Sequence, residues 1–427
     1  MGGPVQVSIE SMAFKGYGVA RVGGKVVFVP DSIKGEKARV EIIEEKKDYC
    51  IGKLRDLIEP SPWRTDPPCP YFGPCGGCQW QHIDYSIHGE LKKEILGEIL
   101  KRLGRFKEIP SIAVAPSPDA YGYRVRVQLK SKEKAIGYYQ AKSHDIVDID
   151  HCPISHPLVN QIILLLRKEL SFFCRMKEIG INVSPEEGKG ILVLYPLSCD
   201  QELENLTEEF LQTNPILKGG AMARKKGFTP FGNPHLKFTI PLNPYGGKGN
   251  LRLRTSPQSF FQVNLKQNHA LIRTVLEFSD VRKSERVLDL YAGVGNITLP
   301  LAIRAEEVVG IEENGVAVED ARFNIEEALI KNCDFVHGKV EDVLRRWPRK
   351  RPDLIVLDPP RGGCKRILDQ VVSLKSNKIV YVSCEPTTLA RDLCLFSERG
   401  YPLQKLALID MFPQSYHMEV VGLLQRS

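Results

Sequence analysis

Alternating apolar and polar positions near the start of the chain predict short β-strands separated by glycine-rich turns. Several strands in so short a segment are typical of a small β-barrel of the OB type, a fold that often binds single-stranded nucleic acid. The proline-rich stretch Glu59–Pro62 is typical of a linker, so we place a barrel domain at 1–60. The predicted strands are Val5–Ile9, Gly18–Val22, Lys25–Val29, Ala38–Glu44 and Tyr49–Leu57.

The middle of the chain combines amphipathic helices with segments that alternate like strands. Leucine and isoleucine recur at helical spacing in Gly89–Leu103, and a second helix is predicted near Leu158–Leu170. Most of the segments from about 121 to 250 alternate like strands. We therefore expect a mixed α+β domain at 61–250, in which the helix at 89–105 is able to pack on the last domain.

From about residue 284 strands and helices alternate regularly. This order predicts the doubly wound α/β architecture, a parallel sheet with helices on both faces, and we place such a Rossmann-like domain at 251–427. The predicted strands are Arg286–Leu290, Val308–Ile311, Leu354–Leu357, Ile379–Val382, Leu406–Ile409 and Glu419–Leu424. The predicted helices are Ile297–Ala305, Ala317–Ile330 and Thr387–Phe396. Because such sheets bind ligands at the carboxyl ends of their strands, residues at those ends are the first functional candidates.

The overall composition excludes several classes of protein. Of the 427 residues 42% are hydrophobic and 26% are charged, which fits a globular protein and excludes a fibrous or wholly disordered one. The longest apolar stretches, such as Ile162–Leu166, are far shorter than the ~20 residues of a membrane-spanning helix. No secretory signal is visible, so we expect a cytoplasmic protein without a membrane partner. In that reducing compartment, 11 cysteines favour metal binding, catalysis or packing over disulfides.

The positive charge is concentrated in one segment. Residues 210–276 contain ten Lys and Arg residues but no Asp or Glu, although the whole chain carries a net charge of only +7. Interleaved aromatic residues make this segment suited to a phosphate backbone and unstacked bases, but a solvated basic face explains the pattern equally well. The cations are Lys218, Arg224, Lys225, Lys226, Lys237, Lys248, Arg252, Arg254, Lys266 and Arg273, and the aromatic residues are Phe228, Phe231, Phe238, Tyr245, Phe260 and Phe261.

The turn after the first strand of the last domain has the pattern of a nucleotide-type site. Small residues in Asp289–Asn296 allow a ligand to approach the backbone at a helix N-terminus. Glu312 ends the next strand, where a carboxylate suits the ribose hydroxyls of NAD and S-adenosylmethionine alike. The third glycine of the dinucleotide fingerprint is missing, because Leu299 and Pro300 occupy that stretch. The turn therefore favours S-adenosylmethionine.

Two later strand ends supply candidate chemistry. Asp358 begins the sequence Asp-Pro-Pro-Arg after one strand, and Cys384 follows the next strand. Uracil C5 is a poor nucleophile towards a methyl sulfonium, but a thiolate that adds to C6 gives C5 enolate character. A base must then remove the C5 proton, and Glu419 is the candidate for that role. The structural alternatives are an inert core thiol for Cys384 and a surface charge for Glu419.

A cysteine cluster lies between the first two domains. Cys69, Cys75 and Cys78 form a C-x5-C-x2-C motif among prolines and glycines, and Cys152 follows at a distance, before a proline. Three local thiolates and one remote thiolate can hold a [4Fe–4S] cluster. Structural zinc stays open as the alternative, although the presence of one CxxC knuckle instead of two favours iron–sulfur.

Together these residues resemble a known family, the bacterial RNA (uracil-5-)-methyltransferases, and most closely the 23S rRNA enzymes. The N-terminal barrel resembles their TRAM domain, an RNA-binding module, and the cysteine set resembles their [4Fe–4S] site. The resemblance covers nearly the whole chain. Five motifs follow in the family's order: Ser259–Asn264, Asp289–Pro300, Asp358–Gly363, Cys384–Leu393 and His417–Val420.

The resemblance implies S-adenosylmethionine-dependent methylation of uracil C5 in RNA, with 23S rRNA as the expected substrate. Cys384 is then the nucleophile and Glu419 the proton acceptor. No obligate protein partner is evident. The implied cofactor and substrate site consists of Gln262, Tyr291, Glu312 and Asp358, with Asn296 in the same turn, and the implied cluster ligands are Cys69, Cys75, Cys78 and Cys152.

Three departures from the family pattern qualify this expectation. Glu385 replaces the usual Asn after the nucleophile, Tyr291 replaces Phe, and Lys339 stands near a usual Asn and is not counted as a ligand. The target uridine must leave its stack, so loop or single-stranded RNA is the expected substrate.

Two rival functions remain. One is a tRNA-specific enzyme. The other is a non-catalytic RNA-binding or chaperone protein, and the extra charge of Glu385 favours this second rival.

Overall fold

A computed structural model describes residues 3–243, 247, 249–347 and 349–427. Tyr245 and Lys248 of the basic segment lie outside the described residues. In the described ranges, no helix has the length and apolar character needed to cross a membrane.

The N-terminal unit is one six-stranded sheet in the order β1-β5-β6-β4-β3-β2. The sheet curves so that β1 contacts β3, the strand next to the other end of this order, and it encloses a core that includes Val27, Val29 and Val40. The predicted strands are all present, and a short extra strand, β2, precedes β3. The strands are β1 (Val5–Ser8), β2 (Ser11–Ala13), β3 (Tyr17–Val22), β4 (Lys25–Val29), β5 (Lys37–Glu45) and β6 (Tyr49–Glu59).

A linker and the cysteine-bearing segment lead to elements that join the C-terminal domain. After a 3₁₀ turn at Tyr85–Ile87, α1 (His88–Arg102) packs its apolar face on the core beside the C-terminal sheet. The strand β7 (Ile112–Ala115) then becomes the edge strand of that sheet. These two elements, which were predicted to belong to the 61–250 domain, are therefore part of the C-terminal domain, on which the helix at 89–105 was expected to pack.

The central unit is a seven-stranded sheet in the order β10-β9-β8-β11-β12-β13-β14. Its helices pack apolar side chains such as Ile162 and Phe210 on the sheet. The strands are β8 (Arg126–Lys132), β9 (Ala135–Tyr139), β10 (Ile146–Asp148), β11 (Met176–Ser184), β12 (Lys189–Pro196), β13 (Leu217–Ala223) and β14 (Phe228–Gly232). The helices are α2 (Pro157–Lys168), α3 (Leu170–Phe173) and α4 (Gln201–Thr213).

A two-stranded pair connects the central unit with the C-terminal domain. β15 (Leu236–Pro241) and β16 (Asn250–Thr255) form an antiparallel pair. The predicted domain boundary between 250 and 251 lies just after the start of β16 and therefore separates β16 from β15. The Arg254 side chain in β16 contacts the buried Asp320 carboxylate at 2.7 Å, which holds the pair on the C-terminal domain.

The C-terminal domain has the predicted doubly wound sheet, in the order β19-β18-β17-β20-β21-β23-β22-β7. β23 is antiparallel to both neighbours, while the other pairings are parallel. The strands are β17 (Arg286–Leu290), β18 (Glu307–Glu312), β19 (Cys333–His337), β20 (Leu354–Leu357), β21 (Lys378–Ser383), β22 (Leu403–Ile409) and β23 (Glu419–Gln425). The helices are α5 (Leu265–Ser279), α6 (Thr298–Ala302), α7 (Gly315–Glu327), α8 (Val340–Arg345), α9 (Leu368–Ser373) and α10 (Pro386–Ser397).

Candidate active site

The pairing of two adjacent strands brings Cys384 and Glu419 close together. β21 and β23 pair up to Ser383 and Val420, and Cys384 and Glu419 are the residues next to that last pair. The Glu419 carboxyl is near enough to the Cys384 thiol to raise its pKa. The two candidate catalytic side chains are therefore neighbours, although 34 residues separate them in the chain.

The thiol of Cys384 lies in a strongly acidic environment. Burial raises its pKa to about 11, and the carboxyl groups of Glu419 and Asp358 contribute to that increase. The positive charge of the nearby Arg361 acts in the opposite direction and lowers the pKa of the thiol. Arg361 is thus the cation that favours the thiolate at this site. Sequence reasoning included it only as the last residue of Asp-Pro-Pro-Arg and gave it no role.

Asp358 links the candidate catalytic pair with the cofactor turn. Burial raises the pKa of both Asp358 and Glu419, and repulsion from Asp358 raises that of Glu419 further. Asp358 lines a small cavity together with Gln262, Tyr291 and Asn296. Three of the four predicted cofactor residues therefore converge on one cavity next to Cys384.

Glu312, the fourth predicted cofactor residue, stabilises the turn between β17 and α6 through hydrogen bonds. Its carboxylate accepts hydrogen bonds from the backbone N–H of Gly293 at 2.9 Å and of Asn314 at 2.8 Å. In this turn Tyr291 adopts φ 66° and Gly295 adopts φ 92°. A Cβ at Gly295 would lie 2.1 Å from the Leu299 side chain, so the turn requires glycine there.

Asp289 also lines this cavity, but sequence reasoning did not assign it to the site. It is buried at the end of β17 and accepts a hydrogen bond from the Thr298 hydroxyl at 2.6 Å. Burial raises its pKa to about 7, and the nearby Asp358 and Glu312 contribute. Its position as the first residue of the Asp289–Asn296 turn was the available signal.

Glu385 does not direct its charge at the thiol in the way that the sequence suggested. Its carboxylate accepts a hydrogen bond from the Thr387 hydroxyl at 2.6 Å, at the start of α10. The carboxyl groups that raise the pKa of Cys384 are those of Glu419 and Asp358. The third departure, Lys339, is exposed and its Nζ lies 3.9 Å from the Glu313 carboxylate.

The four predicted cluster cysteines line one cavity of about 330 Å³. All four are free thiols. Burial raises the pKa of Cys69, Cys75 and Cys78, that of Cys78 to about 12, and the nearby Cys152 contributes in each case. In the described part of the chain, no three Cys, His, Asp or Glu side chains converge tightly enough for a single metal ion. The same cavity is also lined by Arg361 and His417 of the candidate active site.

The basic segment is largely neutralised by acidic residues from other parts of the chain. Of its nine described cations, six have a carboxylate within 4.0 Å. Among the described residues Lys225, Lys226 and Arg252 have no such partner. Most of the described cations of this segment therefore form ion pairs within the fold, as a solvated basic face would, and three described cations are left for an RNA backbone. The six pairs are Lys218–Glu187, Arg224–Glu204, Lys237–Glu327, Arg254–Asp320, Lys266–Asp119 and Arg273–Glu277.

Comparison with known proteins gives matches over nearly the whole chain. Residues 88–427 match the family model described as tRNA (Uracil-5-)-methyltransferase, and residues 2–54 match that of the TRAM domain. The chain is 35% identical to the 23S rRNA (uracil(1939)-C(5))-methyltransferase RlmD of Pectobacterium atrosepticum, with 98% of this chain and 92% of the relative covered. The RlmD of Klebsiella pneumoniae is 34% identical, with 99% and 96% covered.

A solved structure is similar over the same length. It is the crystal structure of the Pyrococcus abyssi tRNA (uracil-54, C5)-methyltransferase in complex with S-adenosyl-L-homocysteine. The two chains superpose with a TM-score of 0.76 at 26% identity, and the match covers 98% of this chain and 99% of that one. The similarity therefore includes the N-terminal barrel as well as the doubly wound domain.

Proposed function

Because the chain belongs to the tRNA (uracil-5-)-methyltransferase family of S-adenosylmethionine-dependent enzymes, we propose that it methylates uracil C5 in 23S rRNA through a covalent bond to Cys384. The observation that carries this proposal is the closeness of Cys384 and Glu419, which lie next to the last pair of β21 and β23, beside the cavity that Asp358 lines. A nucleophile and a base at one place match the two protein groups that the reaction needs.

The residues around the cofactor turn fit S-adenosylmethionine. Asp289, Asp358 and Glu312 surround the turn with carboxyl groups, which suits a ligand that carries a sulfonium and an ammonium. When bound, S-adenosylmethionine would supply an electrophilic methyl group, and its sulfur would keep the electron pair of the broken S–CH3 bond. A cation among these carboxyls lowers the pKa of each acid that it faces, which favours the ionised forms of Cys384 and Glu419.

Two residues of the chain then take part in the reaction: Cys384 forms the covalent bond and Glu419 accepts the proton. The Cys384 thiolate adds to C6 of uracil, and the C5=C6 electron pair moves to C5, which takes the methyl group. The Glu419 carboxylate accepts the C5 proton. The electron pair of that C–H bond restores the C5=C6 double bond, and the C6–S bond breaks with its electrons returning to Cys384.

The cysteine cavity fits a [4Fe–4S] cluster. Cys69, Cys75, Cys78 and Cys152 would be its four ligands, and the Gln81 side-chain oxygen beside them is buried without a hydrogen-bond partner. A zinc ion requires four sulfurs at about 2.3 Å from one point, whereas these thiols surround a cavity. When bound, the cluster would supply a rigid cross-link between the cysteine-bearing segment and the central sheet.

The surface beside the cofactor cavity suits an unstacked base. The ring of Phe260 is 59% exposed and lines that cavity. The Arg126 guanidinium lies 5.8 Å from the centre of this ring and donates a hydrogen bond to the Ser259 carbonyl. An exposed aromatic face held by an arginine is a stacking platform for a nucleobase, which a flipped uridine requires.

A tRNA substrate is the second candidate, and the P. abyssi structure favours it. That tRNA enzyme matches this chain over 98% of its length, so the presence of an N-terminal barrel does not by itself select ribosomal RNA. Ribosomal RNA is proposed because two curated relatives, at 35% and 34% identity, are named for 23S rRNA. Methylation of 23S rRNA and of total tRNA from a deletion strain, each compared with the parent strain, separates the two substrates.

The test of the chemistry is trapping with RNA that contains 5-fluorouridine. Fluorine cannot leave C5 as a proton does, so we expect a covalent protein–RNA band on denaturing gels that requires S-adenosylmethionine. Cys384→Ala should abolish this band. Cys394→Ala is the matched control, because Cys394 is a half-buried cysteine on the adjacent helix α10, and it should form the band normally. RNA binding without a band in the wild type would instead support the non-catalytic chaperone alternative.

A further inference from the structure

The loop Asp410–Met418 connects β22 to β23 and leads directly into Glu419. Its first part is fixed by the catalytic domain itself. The buried Lys92 ammonium contacts the Asp410 carboxylate at 2.6 Å and donates to the Phe412 carbonyl at 3.2 Å. The position of the remaining part, 413–418, depends on other contacts.

The cysteine-bearing segment supplies two of those contacts. Gln79 and Trp80 directly follow Cys78, and both of their backbone N–H groups donate to the Gln414 carbonyl at 3.1 Å. Gln414 is 1% exposed and has φ 67°, a conformation that residues other than glycine rarely adopt. Such a conformation persists only where neighbouring contacts hold it.

The central unit supplies a third contact. The buried Tyr123 hydroxyl donates to the Pro413 carbonyl at 3.0 Å. The Tyr123 ring lines the cavity of the four cysteines, and the loop forms part of the same wall through Phe412, Ser415 and His417. Because the loop and Tyr123 form walls of this cavity, a group bound in the cavity constrains the position of the loop.

We propose that Tyr123 and the Gln79–Trp80 amides are positioning residues that hold the 413–418 loop, and with it Glu419, in register with Cys384. Through these contacts, occupancy of the cysteine site sets the rate of the covalent chemistry without any electron transfer. This inference rests on the proposed function and specifies which residues hold its base in place.

The test compares two tyrosine variants in the iron-loaded protein. Tyr123→Phe removes the hydroxyl that reaches Pro413 and keeps the ring in the cavity wall. Tyr138→Phe is the matched control, because Tyr138 lines the same cavity and, among the described residues, donates no hydrogen bond to the loop. At saturating RNA, we expect Tyr123→Phe to slow adduct formation about fivefold to tenfold, while KM for RNA and the iron content stay within about twofold. The control should match the wild type.

Removal of the cluster with a chelator and an oxidant completes a thermodynamic cycle. If both changes act through the loop, their effects on the adduct rate are not additive, and cluster loss should slow Tyr123→Phe less than it slows the wild type. S-adenosylmethionine affinity reports whether the cluster-free protein keeps its fold. If the cluster-free protein loses its fold, the comparison of the two iron-loaded tyrosine variants alone tests the inference.

Two results would overturn this inference. One is a Tyr123→Phe adduct rate equal to that of Tyr138→Phe, and the other is fully multiplicative effects of the variant and of cluster removal in folded protein. A wild type that forms no adduct at all would count against the proposed function instead, so the two failures are distinguishable.

Discussion

At the scale of single residues, the candidate site depends on acids whose pKa is raised by burial. Glu419 is 3% exposed, and burial together with Asp358 raises its pKa well above the ordinary range. Such a group can act as a base only when a cation or a departing charge favours its ionised form. Proton removal from C5 is thus the step that this environment controls most directly.

Replacement of the Glu419 carboxyl should therefore stop the reaction after methyl transfer. Glu419→Gln keeps the shape of the side chain but cannot accept the C5 proton, so the covalent bond to Cys384 cannot resolve. We expect a stable adduct with ordinary uridine RNA, seen as a shifted band on denaturing gels. Glu385→Gln should turn over normally, because the Glu385 carboxylate is bonded to Thr387 instead. Multiple turnovers by Glu419→Gln would contradict the assignment.

Arg361 should determine the pH at which Cys384 becomes reactive. The thiol pKa is about 11, and the Arg361 charge lowers it. In Arg361→Gln the pKa rises further, so the thiolate fraction falls at each pH below that value, and the reactivity curve moves to higher pH. Iodoacetamide labelling of Cys384 should be several-fold slower in Arg361→Gln than in the wild type at every pH between about 7 and about 10, because that range lies below the thiol pKa of both proteins. Arg366→Gln, which removes an exposed charge five residues further along the chain, should leave the curve unchanged.

At the scale of elements, the sequence predicted best the features that depend on neighbouring residues in the chain, such as the bounds of buried strands. β17 and β20 match their predicted bounds, because buried parallel strands are continuous apolar runs. By contrast, β7 pairs with β22, which begins almost 300 residues later, and no local pattern shows such a partner. Motifs likewise located Cys384 and Glu419, but the role of Arg361 depends on a contact that only the folded chain creates.

The docking of α1 on the catalytic domain depends on a buried ion pair. Lys92 is fully buried and Asp410 is 1% exposed. Lys92→Met leaves the Asp410 charge buried without its cation, which typically costs about 3–5 kcal/mol. We expect a loss of that size in the free energy of unfolding of the catalytic domain, measured by urea denaturation.

Two further variants distinguish a buried charge from lost packing. Lys93→Met changes an exposed lysine on the same helix and should shift stability by less than about 0.5 kcal/mol. The double variant Lys92→Met/Asp410→Leu removes both charges and should recover much of the loss. Equal losses in the single and the double variant would show that packing, and not the unpaired charge, explains the effect.

At the scale of the whole molecule, RNA affinity should follow the charges that remain free after folding. Lys225, Lys226 and Arg252 have no acidic partner within 4.0 Å among the described residues, whereas Lys237, Lys266 and Arg273 are paired. Each phosphate contact adds about 0.7 to the slope of log affinity against log salt for a single strand. If the free cations meet phosphates, changing all three to Gln should flatten that slope by about 2.

The charge-matched control is the triple change of the paired cations, Lys237, Lys266 and Arg273, to Gln. It removes the same formal charge from the same segment, so net charge alone predicts equal effects of the two variants. Because an ion-paired cation contributes little to the local potential, we expect the control to change the slope by less than about 1. Equal slopes for the two variants would show that RNA senses the segment's total charge, and that the pairing seen in the fold opens when RNA binds.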